Sequence, residues 1–261
     1  MRIKILSSGS KGNTTYIECG NTKILIDAGN CCKYIVDKLR NMGIKGNEID
    51  AIFITHTHSD HIKGLKVFVN KFNPLIFVTE EMLGDLDYIT NYKVIKNNSF
   101  TFRDLSIDVI KTSHDAPGSV GYVIGGDGKS IVYITDTGYI NNKYNEILSN
   151  RELYVMESNH DIEMLNNGRY PFRLRQRILS DKGHLSNYDS SRYLSSYIGN
   201  KTKCIVLAHL SEENNTYDLA YDSLIERLES NKQKVSKIVI AKQDIETEML
   251  EVWLRLFVLV K

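Results

Sequence analysis

AIFITHTHSDHIKG, residues 51–64, begins as an apolar, β-branched run and ends in a cluster of metal-ligand side chains. Ala51, Ile52, Phe53, Ile54 and Thr55 read as a buried strand. His56, His58, Asp60 and His61 then arrive within six residues. On an extended chain His56 and His58 project to the same side, because strand side chains alternate. The Ser59-Asp60 pair is expected to cap a following helix, turning Asp60 and His61 in from another direction. Three imidazoles and a carboxylate at one strand end suit zinc, manganese or iron, and four such groups can serve two adjacent cations. The plain alternative is a polar loop with chance histidines. Four ligand-type side chains crowded behind a buried strand argue against it.

Elsewhere, apolar strands repeatedly end in a metal-competent residue. Ile107 to Ile110 leads to His114, Ser130 to Ile134 to Asp136, Leu153 to Met156 to the ESNH stretch with His160, and Lys203 to Leu207 to His209. Sites in layered folds collect at one edge where strand ends meet. Upstream, strands are expected at Arg2 to Leu6, Thr14 to Cys19 and Lys23 to Ile26, the last two joined by a turn at Gly20-Asn21. A helix is expected over Tyr34 to Met42 with Gly43 as its stop. Further strands are expected at Leu75 to Val78, Val94-Ile95, Phe100 to Phe102, Val120 to Ile124 and Ile238 to Ala241. Helices are expected near Glu80 to Tyr88, from about Asn187, and over Tyr217 to Leu228. Strands mixed with occasional helices fit sheets covered by helices, an α/β (α+β) class.

HTHSDH after an apolar strand resembles the signature of the metallo-β-lactamase superfamily. That resemblance implies an αββα four-layer sandwich of two mixed β-sheets flanked by helices, with a hydrolytic metal site on one edge. His114, Asp136 and His209 are similar in position to the superfamily's third histidine, its metal-bridging aspartate and its last histidine. The resemblance thus implies that His56, His58 and His114 bind one metal, that Asp60, His61 and His209 bind another, and that Asp136 spans the two. Two such cations share a hydroxide that is a strong nucleophile at neutral pH. Asp60 is also a candidate base for orienting that water.

The stretches LSSGSKGNTTYIE, ILIDAG, ESNHD, GHLSN and AHLSEENN resemble the YycJ/WalJ group of this superfamily, from the first strand to about Glu251. The group resemblance implies a cytoplasmic metal-dependent nuclease with exonuclease action on DNA. A second reading is a small ester or thioester hydrolase of the glyoxalase II type. A third is a metal-bound nucleic-acid-binding protein without turnover, for which a missing ligand would be the natural sign. All seven ligand positions are filled.

Several residues are candidates for holding substrate. Ser10 and Asn13 lie in a small Gly-rich loop whose backbone N–H groups suit a phosphate, although a plain turn serves that stretch too. Arg169, Arg173, Arg175 and Arg177 are interleaved with Tyr170 and Phe172 in NNGRYPFRLRQR. Guanidinium groups hold phosphates bidentately and aromatics stack on bases, and a solvated helix face is the competing reading. His184 and Ser186 precede a helix start, where they suit a phosphate, with His184 protonating a leaving oxygen. His160 is read as facing substrate or backing a ligand. Asp27 ends a strand and is expected either to orient a ligand histidine from behind or to cap a turn.

Bulk properties narrow the rest. The chain has 261 residues, 42% hydrophobic and 25% charged, ordinary for a globular protein. Lys+Arg 33 against Asp+Glu 32 gives a formal net charge of +1, so any phosphate-binding patch is local. Cys19, Cys31, Cys32 and Cys204 form no C-x-x-C pair, which points to inert thiols in a reducing compartment. MRIKILSSGS lacks a long apolar stretch, so no signal peptide is expected, and the apolar tail from Val252 to Val260 is half a membrane span. One domain over residues 1–251 with an apolar extension at 252–261, a cytoplasmic location and no membrane partner are the expectations. A homo-oligomer is left open.

Overall fold

Alternating apolar runs build two seven-stranded sheets in the computed structural model, which describes residues 1–252. In the first sheet β1 (Arg2–Ser7), β2 (Thr14–Cys19) and β3 (Thr22–Ile26) pair antiparallel. From β3 the sheet continues in parallel through β4 (Ala51–Phe53), β5 (Leu75–Val78) and β6 (Tyr92–Val94). The second sheet starts with the antiparallel run β7 (Ser99–Phe102), β8 (Leu105–Lys111), β9 (Val120–Gly126) and β10 (Lys129–Ile134). It continues in parallel through β11 (Leu153–Glu157), β12 (Cys204–Ala208) and β13 (Lys237–Ile240). Finally β14 (Leu250–Glu251) returns to pair with β1 at the edge of the first sheet.

Eight α-helices are described: α1 (Cys32–Asn41), α2 (Ser59–Ile62), α3 (Leu65–Phe72), α4 (Asn145–Leu148), α5 (Ile162–Asn167), α6 (Phe172–Ile178), α7 (Asn187–Tyr197) and α8 (Tyr217–Ser230). The period-two alternation of the strands sorts side chains between two cores. Ile131 and Tyr133 of β10, Leu153 and Val155 of β11 and Val206 of β12 share a core with the first sheet, and with Ile35 and Leu39 of α1 and Phe68 of α3. Their neighbours Val132, Ile134, Tyr154, Met156, Ile205 and Leu207 share the other core with Leu194 and Tyr197 of α7 and Leu224 and Leu228 of α8. Strands buried on both faces read as continuous apolar runs, which is why β10 to β12 stand out in the sequence. The result is the expected αββα sandwich.

Local chemistry sets the boundaries. Gly20, at φ +56°, makes the β2–β3 turn, and Gly43, at φ +75°, follows α1 where a side chain is disfavoured. Thr216 caps α8 by accepting the Leu219 N–H at 3.1 Å. Three expectations shift. The helix expected from Tyr34 starts at Cys32, and the segment near Glu80 is a 3₁₀ helix over Glu80–Asp85. Ser59 and Asp60 do not cap α2 from outside: they lie in its first turn, His58 stands at the cap position, and no side chain bonds there. Val252, expected to open an apolar tail, is buried, and its N–H donates to Met1 O at 3.1 Å. The rest of that tail, residues 253–261, lies outside the described residues.

At the centre of the inter-sheet core Phe53 stacks on Phe77 with ring centroids 4.4 Å apart and meets Tyr122 edge-on at 5.7 Å. Phe53 is fully buried immediately before the metal loop. Phe53→Ala is expected to lower the unfolding free energy by about 3–5 kcal/mol through lost burial and a cavity. Equilibrium urea denaturation of the metal-free proteins measures it, and a change under about 1 kcal/mol would mean that the core collapses into the space.

Candidate metal centre

The carboxyl ends of the central parallel strands of both sheets converge on one edge, the place where open α/β sheets collect ligands. Asp27 follows β3, His56 and the α2 residues follow β4, Asp136 follows β10, Glu157 closes β11 and His209 follows β12. Asp27, Asp136 and His209 adopt the left-handed conformation, at φ +59°, +57° and +56°. This conformation is uncommon for residues with a side chain and concentrates at functional sites.

Four overlapping groups of ligand atoms form among the described residues, with the members of each within 4.8 Å of one another. The first is His56, His58 and His114, whose ring centroids are 4.7 to 5.0 Å apart. The second is Asp60, His61 and His209, with Asp60 Oδ2 lying 3.4 Å from Nε2 of each histidine. Asp136 lies between these two. Its Oδ2 is 3.3 Å from His61 Nε2, and its Oδ1 is 3.4 Å from His209 Nδ1 and 4.0 Å from His114 Nε2. All seven residues read from the sequence as ligands are therefore brought together at this edge, where His61 and Asp136 also group with His56, and Asp136 and His209 with Glu157 and His184.

The imidazoles are held from behind. His61 Nδ1 donates to Asp27 Oδ2 at 2.7 Å, His209 Nδ1 to Glu157 Oε1 at 3.1 Å and His114 Nδ1 to Gly183 O at 3.1 Å. These acceptors leave Nδ1 to carry the hydrogen, so each Nε2 faces inward, where its lone pair is free for a cation once any proton there is lost. His56 Nδ1 lies 3.1 Å from Thr55 Oγ1. His56 Nε2 and Asp136 Oδ2 are buried and make no hydrogen bond. Buried polar atoms left without partners are costly. Two such atoms among inward-facing imidazoles and carboxylates fit divalent cations as the missing partners, and the mixed nitrogen and oxygen donors suit zinc, manganese or iron.

The metal-free charges tell the same story. Burial opposes the charge of His61, but Asp136, Asp27 and Asp60 outweigh it and raise its pKa well above the ordinary histidine value. Burial likewise opposes His209, whose pKa is nevertheless pushed up to about 10 by Asp136, Asp60 and Glu157. Glu157, penalised by burial, is held down at about 2 by His184 and His209. His56 and His114 are driven below the usual range, chiefly by burial. Protons on His61 and His209 thus balance the carboxylates until cations take their place.

The remaining candidates divide. Asp27 also accepts from the Thr55 N–H at 2.8 Å and the Thr55 hydroxyl at 2.7 Å, so it orients His61 and ties β3 to the metal loop. His184 stands beside the centre, its Nδ1 donating to Glu157 Oε1 at 2.6 Å and lying 3.7 Å from Asp136 Oδ1. Ser10 is exposed and lines an open 580 Å³ cavity with Lys11, Asn30, Asp60 and Lys63. Asn13 is not available for a phosphate as expected. It is buried, its Oδ1 accepts from the Gly9 N–H at 2.8 Å, and its Nδ2 donates to Asp60 Oδ2 at 3.1 Å. Gly29 permits this packing, since a Cβ there would stand 1.7 Å from Asp60 O. Ser186 is likewise committed, accepting from the Asp189 N–H at 3.0 Å and capping α7. His160 is 1% exposed, so it does not face substrate. Arg173 is exposed, whereas Arg175 donates through Nη1 to Asn166 O.

Glu157 is the functional residue that sequence reasoning passed over. It is fully buried, and besides the two histidines it accepts from the Thr137 N–H at 3.0 Å and the Leu185 N–H at 3.1 Å. The signal was present: Glu157 ends an apolar strand just as Asp136 follows one.

The sequence profile of the Beta-lactamase superfamily domain matches residues 22–203. The chain is 40% identical over 236 residues to exodeoxyribonuclease WalJ of Streptococcus pneumoniae serotype 2, covering 87% of this chain and 88% of the relative. It is 35% identical over 236 residues to exodeoxyribonuclease YycJ of Bacillus anthracis, covering 88% and 89%. Among solved structures, the metallo-beta-lactamase fold protein YhfI from Bacillus subtilis superposes with TM-score 0.73 at 16% identity, over 95% of this chain and 99% of that one. Human tRNase Z, short form, superposes with TM-score 0.66 at 16% identity, over 96% and 100%. At such identities these structures speak for the fold.

Two outcomes are expected. Asp27→Ala should weaken metal affinity about 10- to 100-fold by freeing the His61 ring, and competition with a chromophoric chelator measures it. Metal binding should also release the protons held by His61 and His209. A ligand imidazole must be neutral, and these two stay protonated above the ordinary histidine range, so affinity should climb as pH rises from about 6.5 towards 10. Calorimetry in buffers of different ionisation enthalpy reads the proton count, and no release at pH 7 would contradict the charge assignment.

Proposed function

The chain belongs to the beta-lactamase superfamily and is a metal-dependent hydrolase, and from that premise we propose that it is a two-metal exonuclease acting on DNA. The relatives that support this reading carry the name exodeoxyribonuclease and match over most of their length. The observation that carries it within the site is His184, an imidazole anchored by buried Glu157 at 2.6 Å and standing beside the ligand cluster.

Bound divalent cations would supply an acidified water and neutralise the charge that develops on the attacked phosphoryl group. Two divalent ions, zinc or manganese with iron also suited, would be held by His56, His58, His114, Asp60, His61, His209 and Asp136. Asp60, partly exposed and fixed by the Asn13 amide, orients the attacking water and takes its proton. A sugar alkoxide is a poor leaving group and needs a proton as the P–O bond breaks. His184 gives that proton, while the Glu157 carboxylate on Nδ1 holds the ring's orientation. Lys63, which lines the same open cavity as Asp60, offers a cation to the incoming strand. No helix of the described residues is long and apolar enough to cross a membrane. The four cysteines are unpaired, which supports a cytoplasmic location.

The experiment is digestion of end-labelled linear DNA by zinc- and manganese-loaded protein, beside an Asp60→Ala control. Mononucleotides lost from one end, and absent with the variant, are the expected result. No digestion by protein shown to hold both ions would sink the DNA reading. His184→Gln should lower the rate on DNA about 10²- to 10⁴-fold. The loss should shrink on a nitrophenyl phosphodiester, whose leaving group needs no proton. An equal loss on both substrates would remove His184 from the proton-donor role.

A further inference from the structure

Arg177, one of four arginines read from the sequence as candidates for holding phosphate, is the one member of that run that the described contacts join to the metal centre. Its Nε–H donates to Asp115 Oδ2, and Asp115 Oδ1 lies 3.5 Å from His58 Nε2 and 3.5 Å from His114 Nε2. A carboxylate paired with a guanidinium therefore sits at the mouth of the three-histidine group, with Arg177 about half exposed and Asp115 about a third. The backbone holds this arrangement in place. Gly183 O accepts from His114 Nδ1 at 3.1 Å, and the His184 N–H donates to Ile178 O at 3.0 Å. A Cβ on Gly183 would stand 2.1 Å from Ile178 O and 2.4 Å from Arg177 O, so the His184 loop lies directly on the end of α6. Arg177, His184 and His114 thus share one rigid frame, whereas Arg175 is turned to the Asn166 carbonyl.

We propose that Arg177 binds the substrate phosphate flanking the scissile one, and that Asp115 occupies its place until the strand arrives. This rests on the phosphodiesterase reading above. A guanidinium fork matches phosphate as well as carboxylate, and Asp115 engages it only through Nε. The Nη groups make no hydrogen bond among the described residues. Ion pairs as open as this one contribute little to stability, so exchanging its carboxylate for a phosphate costs little. Asp115 acts as a stand-in anion that keeps the guanidinium beside the metal centre and repels anions too weak to replace it.

The test is fluorescence anisotropy of a labelled single-stranded oligonucleotide with uncleavable phosphorothioate linkages, added to manganese-loaded protein at several salt concentrations. Arg177→Ala should weaken binding about tenfold or more and reduce the salt slope by about 0.7, one phosphate contact on a single strand. Asp115→Asn should tighten binding, and that gain should vanish in the Arg177→Ala, Asp115→Asn double variant, because the two residues act on the same phosphate. Arg177→Lys should keep most of the salt slope while losing part of the affinity. Unchanged binding and slope in Arg177→Ala overturn the assignment. Equal tightening by Asp115→Asn with and without Arg177 reduces Asp115 to general repulsion and overturns its role as a stand-in. Wild-type protein that neither binds the oligonucleotide nor cuts DNA removes the nuclease reading itself. A wild type that cuts beside an unaffected Arg177→Ala removes only this inference.

Discussion

Asp27, Asp136 and Glu157 are carboxylates buried together at one edge of the sandwich, and their charge governs everything around them. Taking a carboxylate out of water is costly unless a cation and hydrogen bonds receive it. Here His61, His209 and His184 face the carboxylates, and Thr55, Thr137 and Leu185 give them N–H groups. The balance still leaves His56 Nε2 and Asp136 Oδ2 without a hydrogen bond. The edge is a cation site by construction, and protons fill the role when metal does not.

The sandwich exists in a form that makes such an edge. Each sheet passes from an antiparallel half into a parallel half, and the parallel strands of both sheets deliver their ends to the same place. Left-handed backbone at Asp27, Asp136 and His209 then turns each side chain off the strand axis into the common space. Gly29 and Gly183 allow the loops to approach closely enough to lock that geometry. Strain at the strand ends is sustained because β3, β10 and β12 are buried on both faces and do not yield.

Around this centre the same economy of partners recurs. Glu157 serves two histidines, His209 within the ligand cluster and His184 beside it. Asp115 joins the arginine helix to the mouth of the site. Asn13, which reads as a phosphate binder, instead stiffens the first loop against Asp60. Polar groups near a dense charge cluster are drawn into supporting it, and fewer remain for substrate than the sequence suggests.

The sequence by itself determined most of the strands and the order in which they end in ligand-type residues, while the grouping of His114, Asp136 and His209 with HTHSDH came from resemblance to the superfamily. Those properties are local: β10 to β12 are apolar runs of the right length, and HTHSDH packs four donors behind one strand. The tertiary structure alone decided which polar residues face the centre and which support it. Ser186 and Asn13 resembled substrate ligands because their neighbours are small and polar, but their partners are fixed by α7 and by the α2 loop. His160 looked available next to Glu157, yet the fold covers it completely. Glu157 itself was missed because its importance lies in His184 and His209, 27 and 52 residues away. Identity and spacing are written along the chain. Burial, charge and partnership arise only when distant strand ends meet, because a side chain's electrostatic environment is set by neighbours in space.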